Sequence, residues 1–351
     1  MPIVKKVRKL GARSGLGAAA REGTSLRPQL VARQPPCEHA CPNDTDVRGF
    51  LAVLARSEGR GLSVDEALHE AFLVIAERNP LPAVCGYLCP HHCESRCHRD
   101  GYDGAVAVNG VERAIGETAV SRGWSLSRCV GEPRPEPVTV VGAGAGGLSA
   151  AYQLARRGYA VRMVDPHEEP GGELRYGPDA ACLPRHVLDA EIGRILALGV
   201  TFVGHGSRPE DGRVIATRIY EDGHKTSPAG IPAAIHFGRR AAELLDADIR
   251  GVAVEPPPPR PPSTTAQIQF EHNARQPRGE GALSPEQAVA EARRCLSCGA
   301  CAECDNCWKY CPDQAVIKPV EKGQPYRFRL EFCRGCSKCA EQCPTGFIEM
   351  R

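Results

Sequence analysis

A chain of 351 residues has room for two or three domains. With 42 % apolar residues and a formal net charge of +2, it has a globular composition and no overall field suited to nucleic acid or an acidic substrate. Its 18 cysteines do not describe a secreted disulfide scaffold, which is short and follows a signal peptide, and no run approaches the roughly 18 apolar residues of a membrane span. The expected compartment is the reducing cytoplasm.

Residues 1–35 are basic, rich in Gly and Ala, and free of acid until Glu22. They read as an extended arm, a composition that suits both docking on a partner subunit and a solvated tail. Residues 36–130 read as helical, with the periodic segments VRGFLAVLAR and VDEALHEAFLVIAERNP separated by glycines. Six cysteines punctuate this region: Cys37 and Cys41 as C-x3-C-P, then Cys85, Cys89, Cys93 and Cys97 as C-x3-C-P-x2-C-x3-C. C-x3-C spacings suit iron–sulfur cubes held between helical turns better than cytosolic disulfides.

The stretches PPCEHACPNDTDVRGFL, NPLPAVCGYLCPHHCESRCHRD and VAVNGVERAIGETA resemble the N-terminal iron–sulfur domain of the glutamate synthase small subunit. Its relatives include dihydropyrimidine dehydrogenase, the large subunit of NADH-dependent ferredoxin:NADP oxidoreductase, and the flavoprotein that accompanies dissimilatory sulfite reductase. The resemblance implies one [4Fe-4S] cube on Cys41, Cys89, Cys93 and Glu112, the last standing where the family places a Gln or Glu ligand. Without the resemblance, Glu112 reads as a helix-surface carboxylate. The family's second N-terminal cube uses an upstream C-x2-C pair, and LVARQPP occupies that place here. A second cube therefore has to draw on Cys37, Cys97 and Cys85 with ligands missing.

Residues 137–252 begin with VTVVGAGAGGLSAAYQLARRGYAVRMVDP: a buried strand, Gly142-x-Gly144-x-x-Gly147, an amphipathic helix, and a second strand ending at Asp165. This is a complete dinucleotide fingerprint, in which the glycines admit the pyrophosphate at the helix N-terminus and the acid suits a ribose hydroxyl. The following GGELRYG resembles the loop that runs beside the isoalloxazine in the same family. Through Gly171, Gly172, Leu174, Arg175 and Tyr176, the resemblance implies FAD.

Family members insert a second nucleotide fold for NAD(P)H after this point. Only about thirty residues stand here before GIPAAIHFGRRAAELLDADIRG, far short of a domain. VGHGSRP reads as a loop, Glu221 and Asp222 are the nearest acids to a missing Gly-Asp, and no seat for a nicotinamide is expected. A fold kept without its cofactor is the competing reading.

Residues 253–283, with EPPPPRPPSTT, read as a stiff proline-rich linker. Residues 284–351 open with a helix capped by Ser284 and continue as a two-cluster ferredoxin domain. Each run contains C-x2-C-x2-C-x3-C-P, in which three cysteines bind one cube and the fourth binds the other. By that rule Cys301, Cys304, Cys307 and Cys343 hold one cube, and Cys333, Cys336, Cys339 and Cys311 hold the other. Structural zinc usually needs two C-x2-C pairs and a longer gap. Cys295 and Cys298 exceed the eight ligands required, leaving them as thiols beside a cube, alternative ligands or part of a further site. The isolated Cys129 and Cys182 read as inert core thiols.

The fold class expected is thus multidomain α+β and α/β: a helical [4Fe-4S] domain, a truncated Rossmann-like FAD domain and a two-cluster ferredoxin domain. No Ser-His-Asp arrangement, H-E-x-x-H or P-loop accompanies it. An electron-transfer subunit serving a catalytic partner and a carrier such as ferredoxin follows, with an autonomous ferredoxin-dependent flavoenzyme as one alternative. The other is a scaffold whose flavin domain is a relic, since IKPVEKGQPYRFRLEFCRGCSKCAEQCPTGFIEM also resembles the delta subunit of 2-oxoacid:ferredoxin oxidoreductases. Lys309, Lys318, Lys322, Arg327, Arg329, Arg334 and Lys338 are expected to make this domain basic toward an acidic partner.

Overall fold

The computed structural model describes residues 24–129, 132–177, 182–205, 213–216, 230–255, 258–321 and 323–351. The remainder of the basic arm, Lys322, Glu221 and Asp222 lie outside the described residues. The chain divides into two compact units, a larger one of residues 31–302 with 344–347, and a smaller one of the chain up to Leu30 with 303–343 and 348–351. The architecture is mixed: a helical domain and a Rossmann-like domain in the larger unit, and a small two-motif domain in the smaller.

In the larger unit, apolar residues recur at helical spacing on Val47–Ala55 and Val64–Ala76. They bring Phe50, Leu51, Leu54, Leu68, Phe72 and Ile75 into one core with Ile115 of the helix Val108–Ser121. The Val64 helix starts on a capping box, in which Ser63 N–H donates to Glu66 Oε2 (2.8 Å) and Ser63 Oγ accepts from Glu66 N–H. The short helix Pro82–Leu88 carries Cys85 and ends at Cys89.

The Rossmann-like domain is a parallel sheet in the order Thr201–Gly204, Ala160–Asp165, Pro137–Val141, Arg213–Ala216. Val203 and Gly204, expected in a loop, end the first of these strands. The short stretch standing where relatives insert a nucleotide fold thus contributes an edge strand to the existing sheet. The helix Gly230–Arg250 then lies so close to the helix Ala145–Arg156 that a Cβ added to Gly238 would sit 1.9 Å from the Gly146 carbonyl oxygen. Ser149 Oγ donates to the Ile235 carbonyl (2.8 Å) across the same crossing.

Helical and Rossmann-like domains interlock through polar groups as well as core. Tyr152 O–H donates to the Ala76 carbonyl (2.8 Å), Arg156 pairs with Glu77 (2.9 Å), and the buried Glu191 accepts from the Ala83 and Val84 amides at 2.9 and 3.0 Å.

The proline-rich segment, expected as a spacer, is docked at intervals from Arg260 onward. Gln34 donates its amide to the Pro261 carbonyl and accepts from the Ser263 amide, both at 2.9 Å. Arg260 pairs with Glu38, Tyr102 O–H donates to the Asn273 carbonyl, and Asp103 Oδ2 accepts from the Gln276 amide. The strap continues into the helix Pro285–Ala292, capped by Ser284 with Gln287. Arg294, 1 % exposed at its side chain, pairs there with Glu291 and Asp103 and donates to the Gly104 and Ala105 carbonyls. Residues 284–302, expected with the ferredoxin module, fall with the helical domain for this reason.

In the smaller unit Pro28–Leu30 pairs antiparallel with Ile348–Met350, and Val316–Ile317 with Arg327–Phe328. Two helical turns, Asn306–Lys309 and Lys338–Glu341, stand at equivalent places in its two motifs. Asn306 Nδ2 ties them by donating to the Gln342 carbonyl (3.2 Å).

Candidate metal centres and nucleotide site

None of the eighteen cysteines is engaged in a disulfide. Zinc–thiolate bonds of about 2.3 Å draw sulfurs to roughly 4 Å from one another. Among the described residues no three His, Cys, Asp or Glu groups are drawn together for a single ion. In the helical domain the thiols instead ring cavities.

The first cavity is lined by Cys41, Cys85, Cys89, Cys93 and Glu112, walled by Val47 and Val108. These four cysteines and Glu112 come from the turn after the helix Pro36–Ala40, from the Pro82 helix and the loop after it, and from the Val108 helix. Cys41, Cys89, Cys93 and Glu112 are thus brought together as the resemblance implied. Cys85 joins this group and does not line the cavity of Cys37 and Cys97. The one-turn Cys85–Cys89 spacing puts both thiols on the same side of the short helix, which is why.

Glu112 is not on a helix surface. Burial pushes its carboxyl up to about 7, opposed by the hydrogen bond it accepts from Asn79 Nδ2 (2.9 Å). Burial also raises Cys41, Cys85 and Cys93 and pushes Cys89 up to about 12, with the Glu112 charge adding to each rise. The His91 amide points at Cys89 Sγ (3.4 Å), the kind of N–H···S contact that offsets charge on a ligating sulfur.

A second cavity is lined by Cys37, Cys97, Cys295 and Cys298, with Pro35, Leu51, Val108 and Leu296 as apolar walls. Burial raises Cys37 and Cys298 and pushes Cys295 up to about 11. Sequence reasoning left Cys295 and Cys298 without a role. The unused signal was the C-x2-C pair missing upstream and a surplus pair of the same spacing downstream.

In the smaller unit Cys311, Cys333, Cys336 and Cys339 lie close enough that the other three charges raise Cys339, itself pushed up to about 12 mainly by burial. The Ala315 amide donates to Cys311 Sγ (3.2 Å). Cys304, Cys307 and Cys343 belong to the same unit, while Cys301 lies in the larger one. Cys304 is raised by burial first, and then by Cys343 among its neighbours. The expected basic face is partly neutralised: Lys318 pairs with Asp305, Arg334 with Asp313, and Lys338 with Glu341.

At the nucleotide turn, Gly144 precedes the helix Ala145–Arg156 with no side chain capping it, which leaves the helix N-terminus available to an anion. Gly171 and Gly172 adopt positive φ, and a Cβ on Gly172 would lie 2.9 Å from Gly144 Cα, so the second loop rests directly on the first. Asp165 turns its carboxylate inward, accepting from the Ala143 amide (2.7 Å) and the His167 amide (2.9 Å). Arg175 is buried and committed to Asp189, Glu169 and the Pro170 carbonyl, and Leu174 is buried beside it. Tyr176 is exposed and stacks on His167 with ring centroids 4.6 Å apart. The turn and the bare helix end fit a dinucleotide pyrophosphate. The residues expected beside a flavin ring mostly hold their own loop. Cys129 and Cys182, expected in the core, are exposed.

Three family descriptions match the chain: dihydropyrimidine dehydrogenase domain II, 4Fe-4S cluster, over residues 29–124; NAD(P)-binding Rossmann-like domain over 140–195; and 4Fe-4S binding domain over 326–349. The chain is 33 % identical to the NADP(+)-dependent formate dehydrogenase subunit beta of Moorella thermoacetica, over 53 % of this chain and 28 % of that one. It is 34 % identical to the NAD-dependent dihydropyrimidine dehydrogenase subunit PreT of Escherichia coli K12, over 49 % and 40 %. It is 32 % identical to the glutamate synthase [NADPH] small chain of Azospirillum brasilense, over 53 % and 40 %. The chain therefore spans well under half the length of these curated relatives. Over the matched stretches it is similar to the glutamate synthase small chain and to these other oxidoreductase subunits, with an N-terminal 4Fe-4S domain, a truncated nucleotide-binding Rossmann domain and a C-terminal 4Fe-4S domain.

Proposed function

We propose that the chain is an electron-transfer subunit of a larger oxidoreductase, carrying electrons between a catalytic partner and a soluble carrier such as ferredoxin. The observation that carries this reading is the gathering of Cys41, Cys89, Cys93 and Glu112 around one cavity, in a chain with a separate cysteine-rich unit. Cubes on such ligands exchange single electrons, and the protein tunes them through ligand charge, N–H···S contacts and burial. Glu112 gives the first cube a harder, anionic oxygen ligand, which favours its oxidised form. In the smaller unit Cys311, Cys333, Cys336 and Cys339 hold a second cube, and Cys304, Cys307 and Cys343 contribute ligands to a third.

FAD at the Gly142–Gly147 turn is part of the proposal, supported by the uncapped helix end and by the loop Gly171–Gly172 packed on Gly144. Such a flavin would convert electron pairs into single electrons. A nicotinamide has no second Rossmann-like sheet among the described residues.

Anaerobic purification of the full chain with its native neighbours, followed by iron and flavin analysis, tests the reading. About twelve or more irons per chain with one flavin, and co-purification of a catalytic subunit, are expected. About eight irons would remove the cube at Glu112. Absence of flavin would reduce the Rossmann-like domain to a scaffold.

A further inference from the structure

We infer that Cys37, Cys97, Cys295 and Cys298 hold an additional [4Fe-4S] cluster in the helical domain, two of its four ligands being delivered by the downstream strap. The four thiols line one cavity, whose remaining walls are largely apolar, and none is engaged in a disulfide. Four convergent thiols with no bridge between them are the donor set of an all-cysteine cube.

Backbone geometry supports the assignment independently. In the C-x2-C turn from Cys301, positive φ occurs at Glu303 (57°) and at Asp305 (66°), the third residue and the one after the second cysteine. The turn from Cys333 repeats this at Gly335 (74°) and Ser337 (64°). Cys295-Leu-Ser-Cys-Gly shows the same pair, Ser297 at 50° and Gly299 at 68°. Left-handed backbone at a non-glycine residue costs free energy and persists where the fold imposes it. Such a turn aims amides inward, and the Ser297 amide lies 3.5 Å from Cys295 Sγ.

The surroundings complete the site. His98 lines the cavity, and its Nδ1 is buried with no hydrogen-bond partner, a donor suited to a sulfide or a ligating sulfur. Arg48, also lining it, donates to the Cys298 carbonyl (2.8 Å) and brings positive charge to a centre whose four thiolates outweigh the charge of the core. On binding, each thiol gives up its proton as its sulfur bonds iron. Two of the three C-x3-C pairs are shared out: Cys37 and Cys97 face this cavity, Cys41 and Cys93 the first, and Val108 lines both. The two centres are therefore neighbours separated by one residue's thickness of wall.

The inference goes beyond the proposed electron-transfer role and survives even if no partner is found. Full-length protein reconstituted anaerobically should bind about sixteen irons per chain. The double variants C295S/C298S and C37S/C97S should each lose about four irons, no zinc replacing them, and should lose the same electron-paramagnetic signal after dithionite reduction. An unchanged iron count in C295S/C298S, or zinc in place of iron, overturns the assignment. Should either variant prove insoluble, alkylation of the wild-type holo-protein decides. Protection of Cys37, Cys97, Cys295 and Cys298 under conditions that label the exposed Cys129 and Cys182 supports the site, and equal labelling overturns it.

Discussion

Arg294 Nη1 lies 2.6 Å from Glu291 Oε1, one helical turn away, with the two side chains only 1 % and 2 % exposed. Glu291 also accepts from the Ala107 amide with the same oxygen and from the Gly279 amide with the other. Removing one partner of such a pair strands a charge without water and costs about 3–5 kcal/mol. Glu291→Ala should therefore release the strap. Hydrogen exchange of amides 270–294 should accelerate, while that of the Val64–Ala76 helix is largely retained.

Asp103 is the strap's second anchor. Its hydrogen bonds from Arg99, and the nearby Arg294 charge, hold its carboxyl down at about 2 against an ordinary value near 3.8. A depressed folded value means the ionised form stabilises the fold above the unfolded pKa. That contribution disappears as pH falls from about 4 toward 2. The distance from the ordinary value corresponds to about 2 kcal/mol. Asp103→Asn should show a loss of this order that is constant from pH 5 to 8 and shrinks only below about pH 4, read from the exchange of the Gln276 amide.

Gly238 allows two helices to touch backbone to backbone. Gly238→Ala places a methyl carbon where the Gly146 carbonyl now stands. Overpacking of this kind costs about 1–3 kcal/mol. Because Gly146 sits in the first turn of the helix that follows the nucleotide loop, the variant should lower both the thermal midpoint and the flavin retained on gel filtration.

Glu112→Gln exchanges an anionic oxygen for a neutral one beside the first cluster. Iron content should hold while the midpoint potential of that cluster rises, since less negative charge opposes the incoming electron. A redox titration followed by paramagnetic resonance measures this, and an unchanged potential argues against Glu112 as a ligand.

The helical domain was legible because its apolar spacings and its C-x3-C pairs are local patterns. The same holds for the turn at Gly142–Gly147 and for the two ferredoxin runs. Contacts closing over long sequence separations were not legible. Nothing in PPPPRPPSTT distinguishes a free spacer from a strap, because apart from the Arg260–Glu38 pair its docking uses backbone groups such as those of Pro261 and Ser263. Arg213–Ala216 received no element from the sequence, because it becomes a strand only where the neighbouring strand pairs with it. Arg99, Asp103 and Arg294 look like ordinary surface charges in the sequence, yet all three are buried or nearly so in one network. The role of Cys295 and Cys298 stayed open for the same reason, since spacing identifies a ligand pair but not the domain it serves.

The strap also sets an order of biosynthesis. Arg294 donates to the carbonyl of Asp103, a residue 191 positions earlier in the chain. The helical domain leaves the ribosome first, but the side chains that close it emerge only after the entire Rossmann-like domain. Until then its thiols stand open to oxidants and to stray metal ions. Iron–sulfur carriers loading the cavity of Cys37 and Cys97 should therefore act only after the strap has emerged.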